Sequence, residues 1–153
     1  MKSSFKEEIK LMNLIRLLEI YGDGKWGINT LLTNGDKLFL KRKMLEPVND
    51  DYMNETLRNN SRLRVLQIGN QDNWLRYNDK EQEQLRTEIK KGLFNPEFLE
   101  TDNEIVRELA IGNMIDAMAL QSRSGWMQFS KEQTEYLNRE IGAYKKEWPI
   151  KNL

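Results

Sequence analysis

Apolar residues recur along this chain mainly at helical spacing. Phe5, Ile9, Met12, Ile15 and Leu18, widened by Leu11, Leu14 and Leu17, form a broad apolar face. Ser4 and Glu7 have the spacing of a capping box, which predicts a helix opening near Phe5 and closed by Gly22 and Gly24. The longest apolar run is Ile105, Val106, Leu109, Ile111, Met114, Ile115 and Met118. Thr101 and Glu104 open it as a second capping box, so the helix from Thr101 to about Leu120 is expected to be the most buried. Gly112 inside it costs about 1 kcal/mol relative to alanine, which implies close packing there. Asn78 and Glu81 cap another helix, with Leu85 and Ile89 inward and Gly92 at its end. Asn95-Pro96 restarts the chain with proline at a first helical position. Ser130 caps a last helix with Leu137, Ile141 and Tyr144 inward, ended by Pro149.

The remaining segments pattern differently. Trp26 to Leu45 reads as a hairpin, because Asn34-Gly35 suits a tight turn with positive φ. The outgoing strand over 37–43 alternates poorly, and a helix capped by Asp36 fits nearly as well. Pro47 breaks what precedes it, and Asn49 or Asp50 can cap a short helix through Leu57. Arg62 to Ile68 is open between strand and helix; Gly69 to Asn73 and Ser122 to Gly125 read as loops. With no internal repeat or linker, the expectation is one domain over 1–153, α+β and mainly α, with a small β-hairpin.

Composition narrows the chemistry. The chain of 153 residues has no cysteine and no histidine, so thiol nucleophiles, zinc–thiolate sites, Ser-His-Asp triads and histidine-bound metals are excluded. Any acid–base work falls to Asp and Glu, with Tyr, Lys and Ser as lesser candidates, and no metal or cofactor is expected. Lys+Arg and Asp+Glu are both 24, a neutral balance that argues against broad nucleic-acid or anionic-membrane binding. No stretch is apolar enough to span a membrane, and residues 1–8 are too acidic and too broken for a secretory signal. Location is left open between cytoplasmic, phage-released and mature secreted forms, and a monomer is expected.

Asp23 stands between two glycines just beyond the first helix. That placement suits a turn for backbone reasons, and equally a water-activating base on a rigid turn over a cleft. Glu7 and Glu8 open the same helix, where they favour the helix dipole; either could instead serve as a general acid. Glu19 lies on the last turn, either solvated or held by an arginine, with Arg107 and Arg139 as candidates. Asp116, inside the most apolar helix, needs a partner if buried, or lies on a polar stripe with Asn113 and Gln121. Lys37, Lys41, Arg42 and Lys43 form a local basic cluster, and Trp26, Phe39 and Trp74 offer stacking faces.

Gly22-Asp23-Gly24-Lys25, then Trp26-Gly27-Ile28, then Thr33-Asn34-Gly35-Asp36-Lys37-Leu38, preceded by Glu19, resembles the signature segment of the bacterial chitosanases, glycoside hydrolases of the lysozyme-like superfamily. Pro47-Val48-Asn49, Trp74, Gln84, Phe94-Asn95-Pro96, Ala110 to Ala117 and Trp148-Pro149-Ile150 resemble further landmarks of that family in the same order. Val106-Arg107 and Asn113-Met114 also resemble phage-type lysozymes.

The resemblance implies a lysozyme-like helical domain that hydrolyses an amino-sugar polymer, chitosan or peptidoglycan, by inversion. Asp23 falls on the general base. The family's acidic glutamate lies well before the turn, and the register here falls near Phe5, so Glu7 or Glu8 is the nearest donor. An inverting pair stands about 6.5–9.5 Å apart. Glu19 and Asp116, with Arg107 or Arg139, fall in a Glu–Arg–Asp network, and Lys25, Trp26, Thr30 and Trp74 are the expected substrate contacts. The alternative is a catalytically degenerate relative that acts as a protein-binding or inhibitory protein.

Overall fold

The computed structural model describes residues 5–21, 32–48, 52–68, 75 and 77–151. The helices are α1 (Phe5–Tyr21), α2 (Asn34–Leu45), α3 (Tyr52–Ile68), α4 (Asp79–Leu93), the single turn α5 (Glu97–Glu100), α6 (Glu104–Ser124) and α7 (Lys131–Lys151). No strand occurs among the described residues. The fold is mainly helical, with α6 central: it packs on α3, its largest partner, and on α4, α5 and α7.

The expected hairpin is corrected over residues 33–45, and the reason is local. The Asp36 N–H donates to Thr33 Oγ1 at 3.1 Å, and the Thr33 N–H donates back to Asp36 Oδ2 at 3.3 Å. This capping box starts α2 and places Asn34-Gly35 in its first turn, where backbone N–H groups need no intrahelical acceptor. The rest of the expected hairpin, 26–31, lies outside the described residues.

Capping elsewhere follows the same chemistry. Asn78 with Glu81 closes a capping box on α4 at 2.8 and 3.0 Å, and Ser130 with Gln133 closes one on α7 at 3.1 and 2.9 Å. On α6 the cap is Asn103 and not Thr101: the Asn103 Oδ1 accepts from the N–H groups of Ile105 and Val106. Thr101 instead accepts from the Asn103 N–H. The loop expected at Ser122 is still helix, and α6 ends at Gly125, whose φ of 71° is the left-handed C-cap that glycine adopts without strain. Pro96 precedes α5 as its N-cap, and α7 continues past Pro149 to Lys151. Arg62 to Ile68 belongs to α3.

The core is one cluster contributed by every helix except the short α5, with Leu11, Leu18, Leu40, Leu63, Leu85, Ile89, Met114, Leu120 and Leu137 at its centre. In α6, Val106, Ile111, Met114 and Leu120 are buried as the sequence implies, while Ile105 and Ile115 are exposed. The apolar face of α1 is rotated from the expected one. Leu11, Leu14, Ile15 and Leu18 are buried, whereas Phe5 (81% exposed), Ile9 and Met12 (68% exposed) face outward with Ile20. Helix α1 therefore carries two apolar faces, about opposite each other at 100° per residue.

Candidate functional site

Between α1, α2 and α3 lies a buried polar seam. Lys43, Arg58 and Arg62 are buried, with the buried Asn59 accepting from Arg62, while the buried Asn113 of α6 donates to the Thr56 carbonyl of α3. Arg58 and Arg62 are one turn apart on α3 and reach the C-terminal end of α2. Arg58 donates to the Lys43 carbonyl at 2.9 Å; Arg62 donates to the carbonyls of Met44 and Glu46, both at 2.7 Å, and to Asn59 Oδ1 at 2.9 Å. These carbonyls have no partner within the helix, and they carry the negative end of its dipole, so buried guanidinium groups satisfy both needs. Burial pushes Arg62 down to about 10, with Arg58 adding to the effect and Glu88 and Glu55 opposing it.

Glu7 and Glu8 belong to this seam. Glu7 bridges Arg42 at 3.0 Å and Lys43 at 3.1 Å, and Glu8 takes Arg58 at 2.6 Å. Glu46 adds contacts to Lys43 at 3.6 Å and Arg58 at 3.9 Å. Both residues expected to donate a proton are thus ion-pair partners of the cations that fasten α1 and α3 to α2. The basic cluster of α2 is neutralised in the same way: Lys41 pairs with Glu81 at 3.0 Å, and Arg42 and Lys43 pair with Glu7. Lys43, Arg42 and Lys10 also surround the Phe39 ring, with Lys10 at 4.5 Å from its centroid, so Phe39 stacks on the protein's own cations.

The residues expected in a Glu–Arg–Asp network separate into two places. Glu19 on α1 is held by Arg64 on α3 at 3.1 Å. Asp116 is half-buried, accepts a hydrogen bond from Gln67 and is within electrostatic reach of the same Arg64. Burial raises its carboxyl above the usual range, and Gln67 and Arg64 oppose that rise. So Glu19, Arg64 and Asp116 align across α1, α3 and α6. Arg107 and Arg139 stand elsewhere: Arg107 faces the Tyr144 ring at 6.0 Å, and Arg139 faces Tyr136 at 5.5 Å and Glu140 at 3.7 Å. Asp23, Lys25, Trp26, Thr30 and Trp74 lie outside the described residues.

Arg107 leads to a cleft that the sequence did not disclose. It lies between α5, α6 and α7 and has a volume of about 280 Å³. Pro96, Leu99, Ile111 and Ala143 are its apolar walls; Glu100, Arg107, Tyr136, Glu140 and Tyr144 supply its polar groups. Tyr136, Glu140 and Tyr144 recur every fourth residue on one face of α7, a signal that was present in the sequence. Burial raises the Tyr136 hydroxyl, and the charges of Glu140 and Glu100 raise it further against Arg139. Among the described residues no group of three or more acidic side chains has the arrangement to hold a metal ion, and no helix is long and apolar enough to cross a membrane. Comparison with family models, with curated proteins and with solved structures finds no match.

Proposed function

We propose that the protein works by binding another protein rather than by two-carboxylate hydrolysis, with the outer face of α1 as its docking surface. The observation that carries this reading is the row Phe5, Ile9, Met12 and Ile20, all exposed on a helix whose opposite face is already buried in the core. An exposed apolar stripe of this kind marks an interaction site. Helix α1 carries three basic and three acidic residues, Lys6, Lys10 and Arg16 against Glu7, Glu8 and Glu19. A surface for anionic lipid or nucleic acid would be basic on its polar side. Mixed signs beside an apolar stripe fit an apolar groove on a protein partner. The test is capture of a partner by wild type and its loss in the Phe5→Asp/Met12→Asp variant at unchanged melting temperature. Equal capture by the variant, or release of reducing ends by wild type, would overturn the proposal.

A second reading, the inverting hydrolysis of chitosan or peptidoglycan, is supported by one observation. The alignment of Glu19, Arg64 and Asp116 is similar to the charge network that the chitosanase resemblance implies. In it Asp23 is the base and Glu7 or Glu8 the donor, each held in an ion pair. Its test is the release of new reducing ends, with Asp23→Asn lowering the rate about a hundredfold or more.

A further inference from the structure

We propose that the cleft between α5, α6 and α7 is a binding site for an organic cation, an alkylammonium or alkylguanidinium group whose hydrocarbon stem lies against the apolar walls. The argument begins with which charges are already matched. Each of the five acidic residues of α1, α2 and the turn after α2 (Glu7, Glu8, Glu19, Asp36 and Glu46) lies within 4 Å of a lysine or arginine. At the cleft this changes. The Glu100 carboxylate, at the rim, has no ion pair or hydrogen bond with the described residues. Among the described residues, the partly buried Glu140 carboxylate pairs with Arg139, at 3.7 Å and largely exposed. Arg107, the one cation of the lining, faces the Tyr144 ring at 6.0 Å. The lining of the cleft therefore carries two carboxylates against one guanidinium, a negative balance.

The walls say what kind of cation fits. Leu99, Ile111 and Ala143 offer apolar surface for a methylene stem, and Tyr136 stands where the charges of both carboxylates are felt. A hydrated metal ion would gain nothing from such walls, whereas an alkyl cation gains burial of its stem and pairing of its head. The cleft is just under the size of pockets that take drug-like ligands, about 300–1,000 Å³, so it suits one side chain or a small amine. The cation can come free in solution or on an Arg or Lys side chain of a peptide.

The experiment is an amide-resonance titration of the full chain with butylguanidinium and n-butylammonium, with n-butanol and N-acetylglucosamine as uncharged probes. Both cations should shift residues of the cleft, centred on Glu100, Tyr136 and Glu140, and the uncharged probes should not. Glu140→Gln and Glu100→Gln should each weaken binding about fivefold to tenfold without changing the melting temperature, since a charge-assisted contact is lost and no fold contact is. A capped Ala-Arg-Ala peptide that binds tighter than butylguanidinium assigns the site to a peptide side chain; equal affinity assigns it to a free cation. The proposal is overturned if the double Gln variant binds as wild type, if N-acetylglucosamine shifts the same residues as strongly, or if the cations shift surface carboxylates at large.

Discussion

The seam at the end of α2 and the cleft beside α7 are both built from arginines, carboxylates and backbone, yet they are organised in opposite ways. In the seam, Lys43, Arg58 and Arg62 are buried and end on carbonyls, Glu7, Glu8 and Glu46. In the cleft, Glu140 has one largely exposed arginine at 3.7 Å, and the Glu100 carboxylate has no ion pair among the described residues. The difference teaches how to separate charges that hold a fold from charges that can serve a ligand. Removing a matched buried charge leaves its partners unsatisfied in low dielectric. Removing an unmatched surface carboxylate changes little but the local potential.

The sharpest way to break this comparison is at Arg62. Its replacement by alanine strands the Met44 and Glu46 carbonyls and Asn59 Oδ1. Urea unfolding should show a loss of about 3–5 kcal/mol; a loss under 1 kcal/mol would show that the seam does not fasten α2.

Gly92→Ala tests the same region by packing. A Cβ there would collide with Asn59 Nδ2 and meet Asn59 Cγ at 3.1 Å. Asn59 cannot easily give way, because its Nδ2 donates to the Ile89 carbonyl at 3.0 Å and its Oδ1 accepts from Arg62. The expected cost is about 2–3 kcal/mol in the same measurement, at the upper part of the range for overpacking. Gly112→Ala provides the contrast: apart from its chain neighbours and its own helix backbone, no described atom lies within 4 Å of its added Cβ, so it should stabilise by up to about 1 kcal/mol.

The cleft should behave otherwise. Glu100→Gln and Glu140→Gln should each change stability by less than about 0.5 kcal/mol, while altering only cation binding.

A pH-dependent effect concerns Asp116. Its folded-state pKa is raised by burial, so the ionised form costs stability at neutral pH. That cost is absent below the unfolded carboxylate value and sets in as pH rises through the folded one. Asp116→Asn should therefore raise the melting temperature by about 1–3 °C at pH 7 and not at pH 3. A gain of equal size at both values would mean that the effect is not ionic.

Much of the helical frame was legible in sequence because it depends on near neighbours. The Asn78–Glu81 and Ser130–Gln133 boxes join residues three apart, and their side chains reach the N–H groups they cap whatever the rest of the molecule does. The misreadings arose where two local rules competed. Asn34-Gly35 signals a turn, but Thr33 with Asp36 signals a helix start, and the second pair forms reciprocal hydrogen bonds. Likewise Thr101 and Asn103 are both capping residues, and the one nearer Val106 took the place.

What the chain by itself determined is therefore most of the helices, most of their caps, and the exclusion of histidine and cysteine chemistry. Only the tertiary structure decided which apolar face of α1 is buried, since Leu11-Leu14-Ile15-Leu18 and Phe5-Ile9-Met12-Ile20 are both competent stripes and the choice lies in the shape of α2 and α3 opposite. It also decided the partners of the charges. Glu7 finds Arg42 and Lys43 some 35 residues away, and Glu19 finds Arg64 rather than Arg107 or Arg139. Ion pairing acts over a few ångströms in space and carries no period along the chain, so a sequence shows which charges exist and leaves their matching to the packing of the helices.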